Sequence, residues 1–148
     1  MNVAALLGQD GVLILNRQKD KLSLLTLMAE HASKTLQLDA HKVTNAVLNR
    51  EDLGSTGLGS GVAIPHARIA EVPHALGVLA LLQEPLDYDA IDDEPVDIVL
   101  LLVIPADPEA LEALAGVARI LRQPDLVSAL RQADTALKAY QIVSKFSA

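Results

Sequence analysis

Residues 96–104 have the sequence VDIVLLLVI, and this apolar run decides the fold class. Its apolar residues do not alternate with polar ones, which is typical of a strand covered on both faces of a sheet. A second run of the same kind lies at Ala75–Leu82. Two such strands predict a central sheet with helices on both sides.

Shorter segments before these runs supply further elements. Val12–Leu15 and Val62–Ile64 are apolar and short, as expected of strands. Apolar residues at steps of three and four predict a helix over Lys21–Leu36 and another that begins at an Asp39 N-cap and ends before Gly54. The N-terminal half therefore supplies a strand, two helices and a strand.

The C-terminal third is predicted to be helical. Asp107, Pro108 and Glu109 form a helix start with a cap, a proline and an acid in the first turn. Pro124 begins a second helix, which runs to about Ala133, and Asp134 caps a third. With Gln83–Pro95 as an acidic loop, the order is β-α-α-β-β-β-α-α-α. Strands that do not alternate regularly with helices favour a mixed sheet of about four to five strands.

Composition restricts the function classes. The 148 residues predict one domain, residues 1–148, and the absence of cysteine excludes disulfides and cysteine-based zinc sites. A net charge of −7 and 2% aromatic residues argue against nucleic-acid binding. Residues 1–8 contain no Lys or Arg, unlike a secretory signal, and the run Ile98–Ala106 is too short to span a membrane. We therefore expect a cytoplasmic protein that is not inserted in a membrane.

A glycine-rich segment leads directly to a histidine. Residues 53–66 have the sequence LGSTGLGSGVAIPH, in which glycines allow close approach of an anion and Pro65 restricts how His66 is presented. Pro65 stands where a dinucleotide-binding motif needs a helix, and no Gly-Lys-Ser/Thr follows, so both nucleotide motifs are disfavoured. From the residues alone, the segment is either an anion site beside a reactive imidazole or a flexible connection.

Two separate stretches resemble one protein family. Residues 49–67, NREDLGSTGLGSGVAIPHA, resemble the active-site signature of enzyme IIA proteins of the bacterial phosphotransferase system, fructose/mannitol type. Residues 86–99, LDYDAIDDEPVDIV, with Pro105–Asp107 beyond them, are similar to the same family and especially to its nitrogen-regulatory branch. The resemblance extends from about Val12 to Phe146.

The resemblance implies a three-layer α/β/α sandwich and a phosphocarrier function. In the family, the histidine matched by His66 is phosphorylated, usually through Nε2, by an HPr-like donor, and the arginine matched by Arg50 lines the site. The nitrogen-regulatory branch implies regulatory targets, such as potassium-transport regulators. No cofactor or metal is implied. Backbone N–H groups of the glycine loop are expected to bind the phosphoryl group as well, and the predicted contacts are Ser55, Thr56, Gly57, Gly59 and Gly61.

One departure from the family pattern leaves an alternative open. Relatives usually have a second active-site histidine in the helix after the Pro-Ala-Asp turn, and the sequence aligns Ala110 at that position. The alternative is therefore a regulatory binding module that keeps the fold without phosphotransfer. A phosphate-ester hydrolase with His66 as nucleophile is disfavoured, because no second acid or base is evident.

The other histidines are weaker candidates. His31 and His41 lie on predicted helices without a partner at metal-ligand spacing, and His74 lies at the start of a strand. Asp92 and Asp93 are expected in a solvated turn.

Overall fold

The protein's structure, a computed structural model, describes residues 2–8, 10–108 and 110–147. In these ranges the strands are β1 (Val12–Leu15), β2 (Gly57–Gly59), β3 (Val62–Ala63), β4 (His66–Arg68), β5 (Leu76–Leu86) and β6 (Val96–Ile104). The helices are α1 (Val3–Leu7), α2 (Lys21–Leu36), α3 (Ala40–Asp52), α4 (Ala110–Leu121), α5 (Pro124–Gln132) and α6 (Ala136–Phe146).

All six strands form one mixed sheet in the order β1-β5-β6-β3-β2, and β4 also pairs with β6. The pairs of β6 with β3 and β4 and of β1 with β5 are parallel, whereas β5 with β6 and β2 with β3 are antiparallel. The predicted mixed sheet is therefore confirmed. The apolar run that decides the fold lies at its centre.

The two faces of β6 explain why its sequence shows no alternation. Ile98, Leu100, Leu102 and Ile104 pack in one core with α1, α4, α5 and α6. Val99, Leu101 and Val103 point to the other face and pack with α2 and α3. Both faces are covered by helices, so both must be apolar. The three-layer α/β/α architecture is confirmed.

The structure corrects several predicted boundaries. β5 continues to Leu86, which is buried, so the acidic connection is shorter than predicted. Thr135, not Asp134, caps α6, since its hydroxyl accepts the Lys138 N–H, while Asp134 forms an ion pair with the Lys138 ammonium. α4 begins at Ala110, whose N–H is accepted by Asp107, and the predicted first-turn acid Glu109 lies outside the described residues.

Three short elements were not predicted: α1, β2 and β4, of five, three and three residues. Segments this short are too brief to show a helix or strand period. β4 is the important omission because it contains His66. No helix in the described ranges combines the length and the apolar character needed to cross a bilayer.

Candidate active site

His66 lies at the first position of β4, where its ring is held by the backbone just before it. Nδ1 is 2.9 Å from the Ile64 carbonyl oxygen. A carbonyl can only accept, so Nδ1 donates its hydrogen, and Nε2 of the neutral ring keeps its lone pair. The ring is partly exposed. This geometry presents a nucleophilic Nε2 at the surface.

A break between β3 and β4 creates this arrangement. Both strands pair in parallel with β6, which leaves Ile64 and Pro65 between them without strand pairing of their own. Pro65 has no N–H to contribute to a ladder, although its carbonyl accepts the Leu102 N–H. The Ile64 carbonyl is thereby available to the imidazole.

Arg50 lies in the last turn of α3, as the sequence predicts. Its Nη1 donates to the Gly54 carbonyl at 3.0 Å. This contact ties the guanidinium to the turn after the helix. No other described residue forms a hydrogen bond with the guanidinium, so its other N–H groups can bind a ligand.

Arg50 and His66 line the same open pocket, which has a volume of about 430 Å³. It lies between α3, β4 and α4, and its lining includes Asn49, Arg50, Leu53, His66, Arg68, Leu111 and Leu114. Two guanidinium groups face it, and no Asp or Glu is among the described residues that line it. On a chain with a net charge of −7, this pocket is therefore locally cationic.

Behind Arg50, a buried carboxylate fixes the end of α3. Glu51 accepts the Thr56 N–H at 3.0 Å, the Thr56 hydroxyl at 2.5 Å and the Tyr88 hydroxyl at 3.0 Å. The Lys21 ammonium lies 2.8 Å from Glu51 Oε2 and 4.3 Å from the centre of the Tyr88 ring. Four segments of the chain thus meet at one carboxylate.

The surroundings of Glu51 keep it ionised. Burial alone would raise its pKa, but hydrogen bonds from Lys21 and Thr56 outweigh this and hold the pKa below its usual value. Burial, together with the nearby Glu51 charge, raises the pKa of Tyr88 well above its ordinary value, so Tyr88 stays a neutral donor. The cluster is therefore a fully hydrogen-bonded anchor for the turn that holds Arg50.

The glycines of the motif lie away from His66. The Gly61 carbonyl accepts the N–H groups of Asp97 and Ile98, whereas His66 pairs with Leu102. Asp97 and Leu102 are five residues apart on β6, a separation of about 16 Å along a strand. Gly59 lies at the same far end, since a Cβ there would be 3.2 Å from Asp92. This placement argues against the prediction that Gly59 and Gly61 hold the phosphoryl group.

The polar groups of Thr56 and Gly57 already form hydrogen bonds within the protein. Thr56 is buried, and both its N–H and its hydroxyl bind Glu51, so it is not available to a phosphoryl group. The N–H of Gly57 donates to the Ser55 hydroxyl oxygen at 3.2 Å. Gly57 itself pairs with Ala63. Ser55 stays a prediction as a phosphoryl contact. The carbonyl of its neighbour Thr56 accepts the Ile64 N–H, which places this segment beside the residues that lead to His66.

Comparison with known proteins agrees with this architecture. Residues 5–146 match the family described as "Phosphoenolpyruvate-dependent sugar phosphotransferase system, EIIA 2". The chain belongs to this family. The predicted resemblance to phosphotransferase-system enzyme IIA is confirmed, and so is the predicted assignment of this protein to that system.

Curated relatives of this enzyme IIA carry the name "Nitrogen regulatory protein". The one from Escherichia coli is 39% identical over 129 residues, which are 85% of this chain and 79% of that protein. The one from Bradyrhizobium diazoefficiens is 33% identical over 146 residues, 97% of this chain and 95% of that protein. The crystal structure of nitrogen regulatory protein IIA-Ntr from Neisseria meningitidis superposes with a TM-score of 0.87 at 30% identity, covering 95% of this chain and 98% of that one. The predicted nitrogen-regulatory branch is thereby confirmed.

The departure at Ala110 is visible in this enzyme IIA. Ala110 is buried at the start of α4 and does not line the His66 pocket. The α4 residues that do line it are Leu111 and Leu114. Among the described residues, α4 thus contributes no polar side chain to the pocket.

The remaining histidines of this enzyme IIA lie elsewhere. His31 contacts the Asp10 carbonyl at 2.7 Å, and His74 contacts the Ala75 carbonyl at 3.3 Å, both outside the His66 pocket. Asp92 lies in an exposed turn and accepts N–H groups from Ser60 and Glu94. In the described part of the chain, no three His, Asp or Glu side chains gather in a way that could hold a metal ion.

Sequence reasoning did not single out Arg68, although it lines the pocket with Arg50 and His66. Its signal is its position two residues after His66. Residues two apart share one face of a strand, but β4 was not predicted as a strand.

Proposed function

We propose that this enzyme IIA is a phosphocarrier in which Nε2 of His66 accepts a phosphoryl group from the phosphohistidine of an HPr-like donor. The observation that carries the proposal is the hydrogen bond from Nδ1 to the Ile64 carbonyl. It fixes the tautomer in which Nε2 is the nucleophile, and the ring is partly exposed.

The transfer balances without a general base. The Nε2 lone pair forms the new N–P bond, and the electron pair of the donor's N–P bond returns to the donor nitrogen. His66 keeps its proton on Nδ1 throughout. The protein's contribution is therefore position and charge stabilisation, as in other phosphoryl transfers.

Arg50 is the first source of that stabilisation. Its guanidinium lines the His66 pocket and is tied to Gly54 by one N–H. Remaining N–H groups can bind equatorial oxygens of the phosphoryl group, where negative charge is greatest in the transition state.

The rim of the pocket fits a protein donor better than a small substrate. Leu53 is 85% exposed and Leu111 is 53% exposed, and both line the His66 pocket. Large apolar side chains beside a reactive group are typical of a surface that a protein partner covers. This favours transfer between proteins over hydrolysis of a phosphate ester.

We propose that the phosphorylated protein has a regulatory role. The relatives named nitrogen regulatory proteins match most of this chain, which supports a role in which partners distinguish the phosphorylated from the free form. Potassium-transport regulators are candidate partners from the sequence resemblance. The proposed place of action is the cytoplasm, with the donor.

The test is labelling from radioactive phosphoenolpyruvate with enzyme I and an HPr-like donor. We expect the wild type to acquire an acid-labile, alkali-stable label that His66→Ala lacks, while His74→Ala is labelled like the wild type. Label retained in His66→Ala would refute the assignment of the acceptor. An unlabelled wild type that still binds a regulatory partner would instead identify a binding module without phosphotransfer.

A further inference from the structure

We propose that Arg68 supplies a second guanidinium to the phosphoryl group on His66. This inference rests on the proposed function, since it names a further residue of the same site. It also explains how the pocket binds the group although α4 contributes only Leu111 and Leu114 to it.

Strand geometry places Arg68 on the same side as His66. His66 and Arg68 pair in parallel with Leu102 and Ile104, which belong to the core on the α4 side of the sheet. Ala67 pairs with Val103 and belongs to the opposite core. The two functional side chains therefore leave β4 on one face, with Cα atoms about 6.6 Å apart, which is within the reach of an arginine side chain.

The charge distribution agrees with an anion-binding role. Within residues 2–8, 10–108 and 110–147, Arg68 makes no side-chain hydrogen bond or ion pair, although four other cations of the chain each pair with a carboxylate. Arg68 is exposed, and no described Asp or Glu lines the pocket it shares with Arg50. A dianionic group between two guanidiniums is a favourable arrangement.

The transferring group needs more than one cation. Negative charge is spread over three equatorial oxygens, and one planar guanidinium binds at most two of them well. Arg50 belongs to α3 and Arg68 to β4, and both line the pocket. Together they can bind all three oxygens.

The experiment compares Arg68→Gln with the wild type and with Arg119→Gln. Arg119 is an exposed arginine on α4 that does not line the pocket. Phosphorylation rates are measured with two donors, the phosphorylated HPr-like protein and phosphoramidate. With phosphoramidate, Nε2 forms the N–P bond, the P–N bond of the reagent breaks, and ammonia leaves. We expect Arg68→Gln to slow both reactions about tenfold, less than a buried donor would because the site is open to water.

The outcomes separate this inference from the proposed function. Wild type that neither donor labels would overturn the proposed function itself. Wild type that is labelled, with Arg68→Gln as fast as Arg119→Gln, would overturn the role of Arg68 alone. Slow transfer from the protein donor with normal transfer from phosphoramidate would also overturn it, since Arg68 would then bind the donor protein and not the phosphoryl group. Recovery of most of the rate in Arg68→Lys would support the charge contact.

Discussion

One edge of β6 pairs with β3 and β4, and arginines lie at both ends of this edge. The two ends differ in whether the arginine has a carboxylate partner. Near Leu102, Arg50 and Arg68 line a pocket with His66 and no described carboxylate. Near Asp97, Arg131 binds both Asp97 carboxylate oxygens at 2.9 and 3.0 Å and the Ser60 carbonyl at 2.7 Å. At the Asp97 end, the Arg131–Asp97 ion pair thus lies against the glycine motif, and the proposed chemistry lies at the Leu102 end.

The largest expected effect comes from removing the anchor behind the His66 end. Glu51→Ala leaves Lys21 and the Thr56 and Tyr88 hydroxyls without their shared acceptor. We expect the free energy of unfolding to fall by about 3 kcal/mol, as for breaking a buried ion pair. Urea unfolding measures it.

The control is Glu71→Ala, whose ion pair with Lys42 is about half exposed on both sides. That variant should lose much less stability, because an ion pair that is open to water contributes little. Equal losses in the two variants would show that Glu51 is no anchor.

Next in size is the effect of Arg50 on transfer. Arg50→Ala should slow donor-dependent phosphorylation about a hundredfold with the fold intact, because one charge contact is lost from the transition state. The rate of phosphorylation is measured by quenching the labelling reaction at short times. Arg131→Ala is the matched variant at the other end, and we expect its transfer rate to match the wild type. If Arg131→Ala slows phosphotransfer more than Arg50→Ala does, the assignment of phosphotransfer to the His66 end is wrong.

A smaller effect is expected from the glycine that the comparison assigns to packing. Gly61 has φ +84, and a Cβ there would lie 3.0 Å from an Asp97 oxygen and even closer to Arg131. Gly61→Ala should lower the free energy of unfolding by about 2 kcal/mol through strain and displacement of Arg131. Phosphotransfer by the folded variant should be unchanged.

Gly8→Ala isolates the backbone contribution, since Gly8 has φ +63 with nothing within 4 Å of an added Cβ. It should cost less than Gly61→Ala. A loss of phosphotransfer in Gly61→Ala without a loss of stability would return the glycine loop to the active site.

The smallest effect concerns pH. Since the pKa of Glu51 is lowered on folding, its ionised form stabilises the protein above the pKa of the unfolded chain. This stabilisation is lost as the pH falls through the lowered pKa. In urea unfolding, the stability difference between wild type and Glu51→Gln should therefore shrink as the pH is lowered from 7 to below 4. A difference that grows in acid would contradict the direction of the shift.

The sequence predicts those parts of the fold in which one segment carries enough periods to be recognised. α2 and β6 have the predicted bounds, because sixteen and nine residues contain several helical turns or a full buried strand. β4 has three residues, and its identity depends on pairing with β6, more than thirty positions later. Such pairings are tertiary facts that a local pattern does not contain.

The same distinction between local patterns and tertiary contacts applies to the site residues. His66 and Arg50 could be named because both belong to a motif, and the structure places both in one pocket. The role of Gly61 could not, because it depends on Arg131, which reaches it from α5. The engagement of Thr56 likewise depends on Glu51 and Tyr88 from separate segments. A glycine pattern indicates that the backbone lies close to another group, but it does not identify that group.

The Ile64 carbonyl holds the imidazole through Nδ1, an atom that the proposed transfer does not touch. This hydrogen bond can therefore persist when the phosphoryl group is gained or lost. The proposed phosphorylation instead alters the surface potential, since the two guanidinium charges of the pocket would be met by roughly two negative charges. In physiological salt that difference fades within about 8 Å, so only a protein seated directly over the ring can sense which form it has met.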